Sequence, residues 1–417
     1  MNKEKQKMIP EVRFPEFKND GEWKIEPFND VYNFKITNSF SREKLNYEKG
    51  NVKNIHYGDI HTKFSSHFDI TQECVPYINL DITLEKIDKD NYCQEGDLVI
   101  ADASEDIDDI GKTIEIISLN QEKLLAGLHT FLARPIDDKI KLGFGGHLFK
   151  SNGIIAQIKN EAQGAKVLGI SKGRLANLDV YYPDSDIEQQ KIANCLSSLD
   201  TLITAEVDKL ENLKDHKTGL LQRLFPANGE TKPEFRFPEF EKDGDWEEKL
   251  LGGISEITTG TSNRQDSTEE EGKYTFFDRS QDIRTSNRFL FDGEAIIVAG
   301  EGQEFKPKYF IGKFDLHQRA YAILNFNNKT IGKFLYYSIY KNRSYFLRYA
   351  VGSTVKSLRL PIFENMPTLI SSNPKEQQKI ADCLTSVDDF IEAQKTRIKV
   401  LKNHKKGLMQ QLFPNSI

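Results

Sequence analysis

The chain has 417 residues, 38% apolar and 29% charged, with a formal net charge of −6. At roughly 100–200 residues per domain this allows two to four domains, and no apolar run reaches the roughly 18 residues of a membrane-spanning helix. The polar start, Met1 to Lys7, lacks the apolar core of a secretory signal, and four cysteines without a Cys-x-x-Cys pair make no disulfide framework, so a cytoplasmic location with no membrane partner is expected.

In chain order, Pro10-Glu11-Val12-Arg13-Phe14-Pro15-Glu16-Phe17 leads into an Asp-Gly-acid-Trp stretch ending at Trp23. Strand signals follow at Asp97–Ala101, after Gly96, and at Thr130–Ala133. A helix is predicted near His147 to Gln157. A long helix then begins at Glu188-Gln189-Gln190-Lys191-Ile192-Ala193. Its apolar residues step alternately by four and three through Ile192, Leu196, Leu199, Ile203, Leu210, Leu213 and Leu220, with Glu206 and Lys217 as polar steps. That is a coiled-coil seam. The opening then returns as Pro233-Glu234-Phe235-Arg236-Phe237-Pro238-Glu239-Phe240, ending at Trp246, offset by 223 residues. Further strands are predicted at Glu294–Ala299, after Gly293, and at Ala320–Leu324, and a helix at Ile331 to Arg348. The last helix repeats the first at an offset of 188, with 22 of 39 positions identical from Glu188–Pro226 to Glu376–Pro414. Its seam is Ile380, Leu384, Val387, Ile391, Ile398, Leu401 and Leu408, with Gln394 and Lys405 polar. Leu128-His129 and Leu316-His317 share that offset, so the first unit carries 35 extra residues upstream of about position 127.

Short connections put the end of the first helix and the start of the second beside the same domain. The helices are therefore expected to run antiparallel, with Leu412-Phe413-Pro414 returning to the first domain. The expected fold is α+β: two pseudo-two-fold-related mixed α/β domains, mostly antiparallel in their sheets, joined by two long helices in an antiparallel coiled coil. Expected boundaries are 1–186 and 227–374 for the domains, and 187–226 and 375–417 for the helices.

No catalytic constellation emerges. Gly111-Lys112-Thr113 resembles the end of a phosphate-binding loop, but Asp106 stands where its first glycine belongs. No Asn-Pro-Pro-aromatic or Asp-Pro-Pro-aromatic segment offers an amino-methyltransferase pocket. Asp184, Glu188 and Lys191 lack metal-nuclease spacing. His56, His61 and His67, near Asp59 and Asp69, read as loop or DNA-contacting histidines ahead of a metal cluster, and no metal site is expected.

Charge by segment is more informative. Gly272 to Phe363 holds 15 Lys and Arg against 7 Asp and Glu, and Lys139 to Arg174 holds 7 against 1. Basic residues interleaved with aromatics suit phosphate binding and base readout. The DNA-binding candidates in the first unit are His56, Tyr57, His61 and Lys63, then Lys141, Lys150, Lys166, Lys172 and Arg174. In the second they are Arg279, Arg284, Arg288, Lys306 and Lys308, then Arg319, Arg343, Lys356 and Arg359.

The paired Pro-Glu-x-Arg-Phe-Pro-Glu-Phe…Gly-x-Trp openings, the Gly96-Asp97-Leu98-Val99-Ile100 and Gly293-Glu294-Ala295-Ile296-Ile297 strands and the two Glu-Gln-Gln-Lys-Ile-Ala helix starts carry a resemblance. Over nearly its whole length the chain resembles specificity subunits of Type I restriction-modification systems. The resemblance implies two target-recognition domains, each reading half of a bipartite site in double-stranded DNA. It implies helical spacers that dock two methyltransferase subunits, and restriction or translocase subunits as further partners. It implies no catalysis and no cofactor on this chain, with S-adenosylmethionine, ATP and Mg held by partners. On the residues alone, two other classes stay open: a self-contained DNA-modifying enzyme, and a coiled-coil scaffold without DNA contact.

Overall fold

The computed structural model describes residues 8–266, 272–279 and 283–414, so the polar start at 1–7 lies outside it. The chain forms two compact units: Met1–Glu206 with Arg397–Ile417, and Val207–Thr396.

In the first unit the apolar run Leu98–Ala101 is buried along its whole length, which makes it a central strand. It lies in a five-stranded sheet ordered Tyr32–Lys35, Thr130–Pro135, Leu98–Ala101, Thr113–Ser118 and His67–Asp69. Every pairing is antiparallel except the last. Upstream of position 127, the region that carries the extra residues, a four-stranded sheet is made of Leu124–Ala126, Lys53–Ile55, Tyr77–Ile78 and Leu45–Asn46. In the second unit the sheet has six strands: Glu256–Thr259, Ala320–Leu324, Phe291–Ala299, Lys308–Leu316, Tyr274–Phe277 and Ile283–Ser286. One pairing, Tyr274–Phe277 with Lys308–Leu316, is parallel. Both sheets are thus mixed and mostly antiparallel, as expected.

Two predicted helices are each broken in two. The first becomes Phe144–Leu148 and Asn152–Glu161, parted where Ser151 is extended. The second becomes Gly332–Lys341 and Ser344–Tyr349. Polar Ser151-Asn152 and Asn342-Arg343-Ser344 sit at the breaks, where short polar side chains compete with helical backbone bonds.

The long helices span Asp186–Leu224 and Pro374–Leu412. All eighteen seam positions, polar steps included, are buried or half-buried. In the first unit Lys405 Nζ lies 2.5 Å from Asp200 and Arg397 lies 2.8 Å from Glu206. Numbers rise along one helix as they fall along the other, so the pairing there is antiparallel. In the second unit Leu221 and Leu224 share a core with Ile380 and Leu384, and Lys217 lies 2.5 Å from Asp388, again antiparallel. The polar steps Lys405, Glu206 and Lys217 are thereby ion-paired across the seam.

The repeated motifs fasten each unit to its helix ends. Lys191 pairs with Glu16 and Lys379 with Glu239. Gln189 donates to the Lys139 and Pro183 carbonyls, and Gln377 to those of Lys329 and Ser371. Trp23 meets Phe413 edge-on at 5.9 Å, as Trp246 meets Phe225 at 5.7 Å. The last turn of the second helix therefore does return to the first unit. Among the described residues no helix is long and apolar enough to cross a membrane.

Candidate nucleic-acid interface

The two strands predicted in each unit pair as neighbours: Leu98–Ala101 with Thr130–Pro135, and Phe291–Ala299 with Ala320–Leu324. Just before the second strand of each pair stands a repeat-equivalent histidine, His129 or His317. Polar groups gather around both.

In the second unit Glu301 holds two arginines. Its carboxylate accepts from Arg279 at 3.0 Å and from Arg319 at 2.8 Å. Glu301 is 17% exposed, whereas Arg279 and Arg319 are 51% and 56% exposed, so the pair is fixed at one end and open to solvent at the other. His317 Nδ1 accepts from the Arg319 backbone N–H at 3.0 Å, and burial holds the imidazole below its ordinary pKa. Gln318 donates to Asn263 Oδ1 at 2.6 Å. An open polar cavity of about 440 Å³ is lined by Arg279, Arg319, His317, Gln318 and Asn263 with Arg264 and Asp278. A guanidinium fork matches guanine edges, and an amide matches adenine. Arg359 borders an adjoining cavity shared with Arg319 and Glu301.

Most of the other candidates in this unit have different protein partners. Arg284 pairs with Asp278 at 3.5 Å. Arg288 reaches the buried Asp315 at 3.3 Å and Ser262 at 2.5 Å. Lys306 pairs with Glu304, Lys308 lies over Phe277, and Arg343 lies 4.8 Å from the Tyr340 ring. Lys356 is exposed.

In the first unit His129 stands at φ 58, a left-handed conformation that branched side chains avoid. Its Nδ1 lies 3.2 Å from Asp102. Tyr57 is central, its ring 5.2 Å from His129, 4.7 Å from His56 and 6.1 Å from His61. His61 Nε2 donates to the Ala103 carbonyl at 3.0 Å. His56 Nδ1 accepts from Gly58 N–H, and burial, then nearby Arg42, lowers its pKa. Asp59, fully buried, binds Arg42 through both oxygens and Lys63 at 3.0 Å. The structure thus joins three predicted residues, His56, Tyr57 and His61, with a fourth, His129, noted in the sequence only for its repeat offset, and Tyr57 is the ring that meets the other three.

Basic candidates elsewhere in this unit lie apart from that group. Lys141 pairs with Asp186 at the start of the long helix, and Arg174 with Glu161. Lys172 lies over the Phe34 ring; Lys150 and Lys166 are exposed.

The Type I restriction modification DNA specificity domain matches this chain twice, over residues 20–215 and 243–403. The chain belongs to that family. Among curated members, the Type I restriction enzyme EcoDI specificity subunit of Escherichia coli is 28% identical over 169 residues, 40% of this chain and 37% of that protein. The putative type I restriction enzyme MjaX specificity subunit of Methanocaldococcus jannaschii is 25% identical over 95% of this chain and 94% of its own length. In fold, the chain matches the crystal structure of a Type I restriction-modification system S subunit from M. genitalium with a TM-score of 0.65 at 15% identity, covering 98% and 100% of the two chains.

Family membership explains the two matched units, but not their side chains. Charge alone does not distinguish the two arginines that share Glu301 from arginines paired singly with Asp315 or Glu161. The signal that would have found both groups is the Leu128-His129 and Leu316-His317 repeat, read together with the predicted strands beside it.

Proposed function

We propose that this DNA specificity subunit reads a bipartite site, one half by each recognition domain. The domains follow the boundaries 1–186 and 227–374. The two long helices set the gap and dock two methyltransferase subunits, with restriction or translocase subunits joining that complex. S-adenosylmethionine, ATP and Mg belong to those partners, and the chain itself performs no catalysis. The observation that carries this reading is the repeat-equivalent placement of His129 and His317, each with its own polar surroundings: an aromatic and histidine group in one unit, an arginine and amide group in the other. Equivalent positions with different chemistry suit two domains that read different half-sites.

The test is a hybrid chain in which residues of about 20–186 come from a relative. Produced with its partners, it should methylate a motif with one half-site changed and the other kept, read by methylation sequencing. A change in both halves together would refute independent reading. Methyl transfer to DNA by the pure chain with S-adenosylmethionine would refute the non-catalytic role.

A further inference from the structure

Three side chains of the first unit converge away from the group around His129. His67 comes from the strand His67–Asp69, His147 from the helix Phe144–Leu148 and Asp200 from the first long helix. One ligand-capable atom of each lies within 4.8 Å of the others, and the imidazole centroids are 4.0 Å apart.

His67 Nε2 lies 2.8 Å from the Gly143 carbonyl oxygen. A carbonyl only accepts, so Nε2 carries the proton and Nδ1 is the acceptor, facing the Ser66 hydroxyl at 3.3 Å, a long bond that an ion would replace. Metal-ligating histidines commonly donate their other ring nitrogen to such a carbonyl. His147 is fully buried, and its Nδ1 has no hydrogen-bond partner. Its Nε2 lies 3.1 Å from Ser197 Oγ. Lys405 Nζ is 2.5 Å from both Asp200 oxygens. A carboxylate has about four lone-pair sites, so Lys405 leaves room for a second cation. Asp200 is 40% exposed, which gives an ion a way in.

The second unit is an internal control. At the offset of 188, Asp200 becomes Asp388 and Lys405 corresponds to Lys217, and that pair is kept at 2.5 Å. His147 becomes Leu335, and Asp388 instead accepts from the Tyr337 hydroxyl at 2.8 Å. The lysine–aspartate pair therefore belongs to the helix seam in both units. The two histidines are an addition of the first.

We propose that His67, His147 and Asp200 form a site for one zinc-class divalent ion, which pins the strand and the short helix to the first long helix. Two imidazoles and a carboxylate are the borderline donor set such ions take, with water in the fourth position. Bonds of about 2.0–2.2 Å space tetrahedral donors on the order of 3.4 Å apart, so the side chains close by on the order of 1 Å on binding. The neighbouring Lys405 ammonium opposes the ion and limits its affinity.

Tag-free full-length chain, stripped with a chelator, is titrated with Zn2+ by calorimetry and with Co2+ by visible absorption. One equivalent should bind per chain. That equivalent should be lost in Asp200→Asn and in His147→Leu, which copies the packing of Leu335, with folding checked by circular dichroism. His67→Gln replaces His147→Leu if the latter does not fold. Lys405→Met should tighten binding by about threefold or more, by removing a like charge. The site is overturned if the folded wild type binds no Zn2+ at about 10 μM, if the folded variants keep the equivalent, or if Lys405→Met leaves affinity unchanged or weaker.

Discussion

Arg13 grips Glu188 through two parallel hydrogen bonds, 2.6 Å from Nε to Oε1 and 2.7 Å from Nη2 to Oε2. Glu188 is fully buried and the Arg13 side chain is 6% exposed. Arg236 holds Glu376 in the same way, at 2.7 and 2.8 Å. The two repeated sequence motifs thus meet as one charged lock in each unit, which accounts for an arginine in the opening and a glutamate at the helix start. Removing one partner strands a buried charge. Glu188→Ala is expected to destabilise the chain by about 3 kcal/mol, and Arg13→Met with Glu188→Met by clearly less. Urea denaturation of both variants checks this; equal losses would mean the pair acts through packing alone.

Much of the fold is legible in the sequence because its signals are periodic or duplicated. The seam of Ile192 to Leu220 is a strict heptad pattern, and the buried strands after Gly96 and Gly293 are short apolar runs bounded by glycine. The helix breaks at Ser151 and Asn342 were not legible, because the apolar pattern of each helix continues across the break and only short polar residues mark it. Site geometry was the least legible. His67, His147 and Asp200 lie on three separate elements, and their approach depends on how a strand, a short helix and a long helix pack. Likewise, charge counting treats Arg174 and Arg319 alike, although Glu161 and Glu301 present them differently.

The arginine fork around Glu301 gives a graded expectation. Arg279→Ala and Arg319→Ala should each relax one base position of a single half-site by about 1–3 kcal/mol, leaving the other half unchanged. Glu301→Ala should weaken discrimination at the same position, because it releases both guanidinium groups. Competition binding with single-base variants of the methylated site measures this. Uniform weakening across all sequences would assign these arginines to phosphates instead.

The seam ion pair between Lys217 and Asp388 is open to a charge-reversal cycle. Lys217→Glu places two acids together in a half-buried seam and should destabilise the second unit. Adding Asp388→Lys should recover on the order of 1–2 kcal/mol of that loss. Tyr337, which donates to Asp388, keeps the recovery incomplete. Thermal unfolding of the two singles and the double gives the coupling, and strict additivity would mean the pair contributes nothing.

Glu115 predicts a pH dependence of stability. Burial raises its pKa from 4.5 to about 7, moderated by the Gly146 and Gly143 backbone N–H groups that donate to its oxygens. Between 4.5 and about 7 the folded chain keeps a proton that the unfolded chain has released. This contribution is therefore full at the acid end and is lost as pH rises through that window, by at most on the order of 3 kcal/mol. Denaturation midpoints of wild type and Glu115→Gln should diverge across it, with the wild type falling more steeply as pH rises. Parallel curves would remove Glu115 from the account.

The last prediction treats the helices as a ruler. A heptad inserted after Glu206 and another after Thr396 keeps the seam in phase, because its pattern repeats every seven residues. These points lie opposite each other in the antiparallel pairing, since Glu206 meets Arg397 across the seam. Each insertion lengthens its helix by about 10 Å at about 1.5 Å per residue. Duplex DNA rises about 3.4 Å per base pair, so the gap in the methylated motif should grow by about three base pairs while both half-sites stay the same. The added pairs also rotate one half-site about the duplex, which lowers affinity without changing the bases read. Inserting two residues in place of seven moves polar side chains into the seam, so that variant should lose stability and its methyltransferase partner. Methylation sequencing of the heptad variant decides the matter: a folded, active complex that keeps the original gap would mean the helices do not set it.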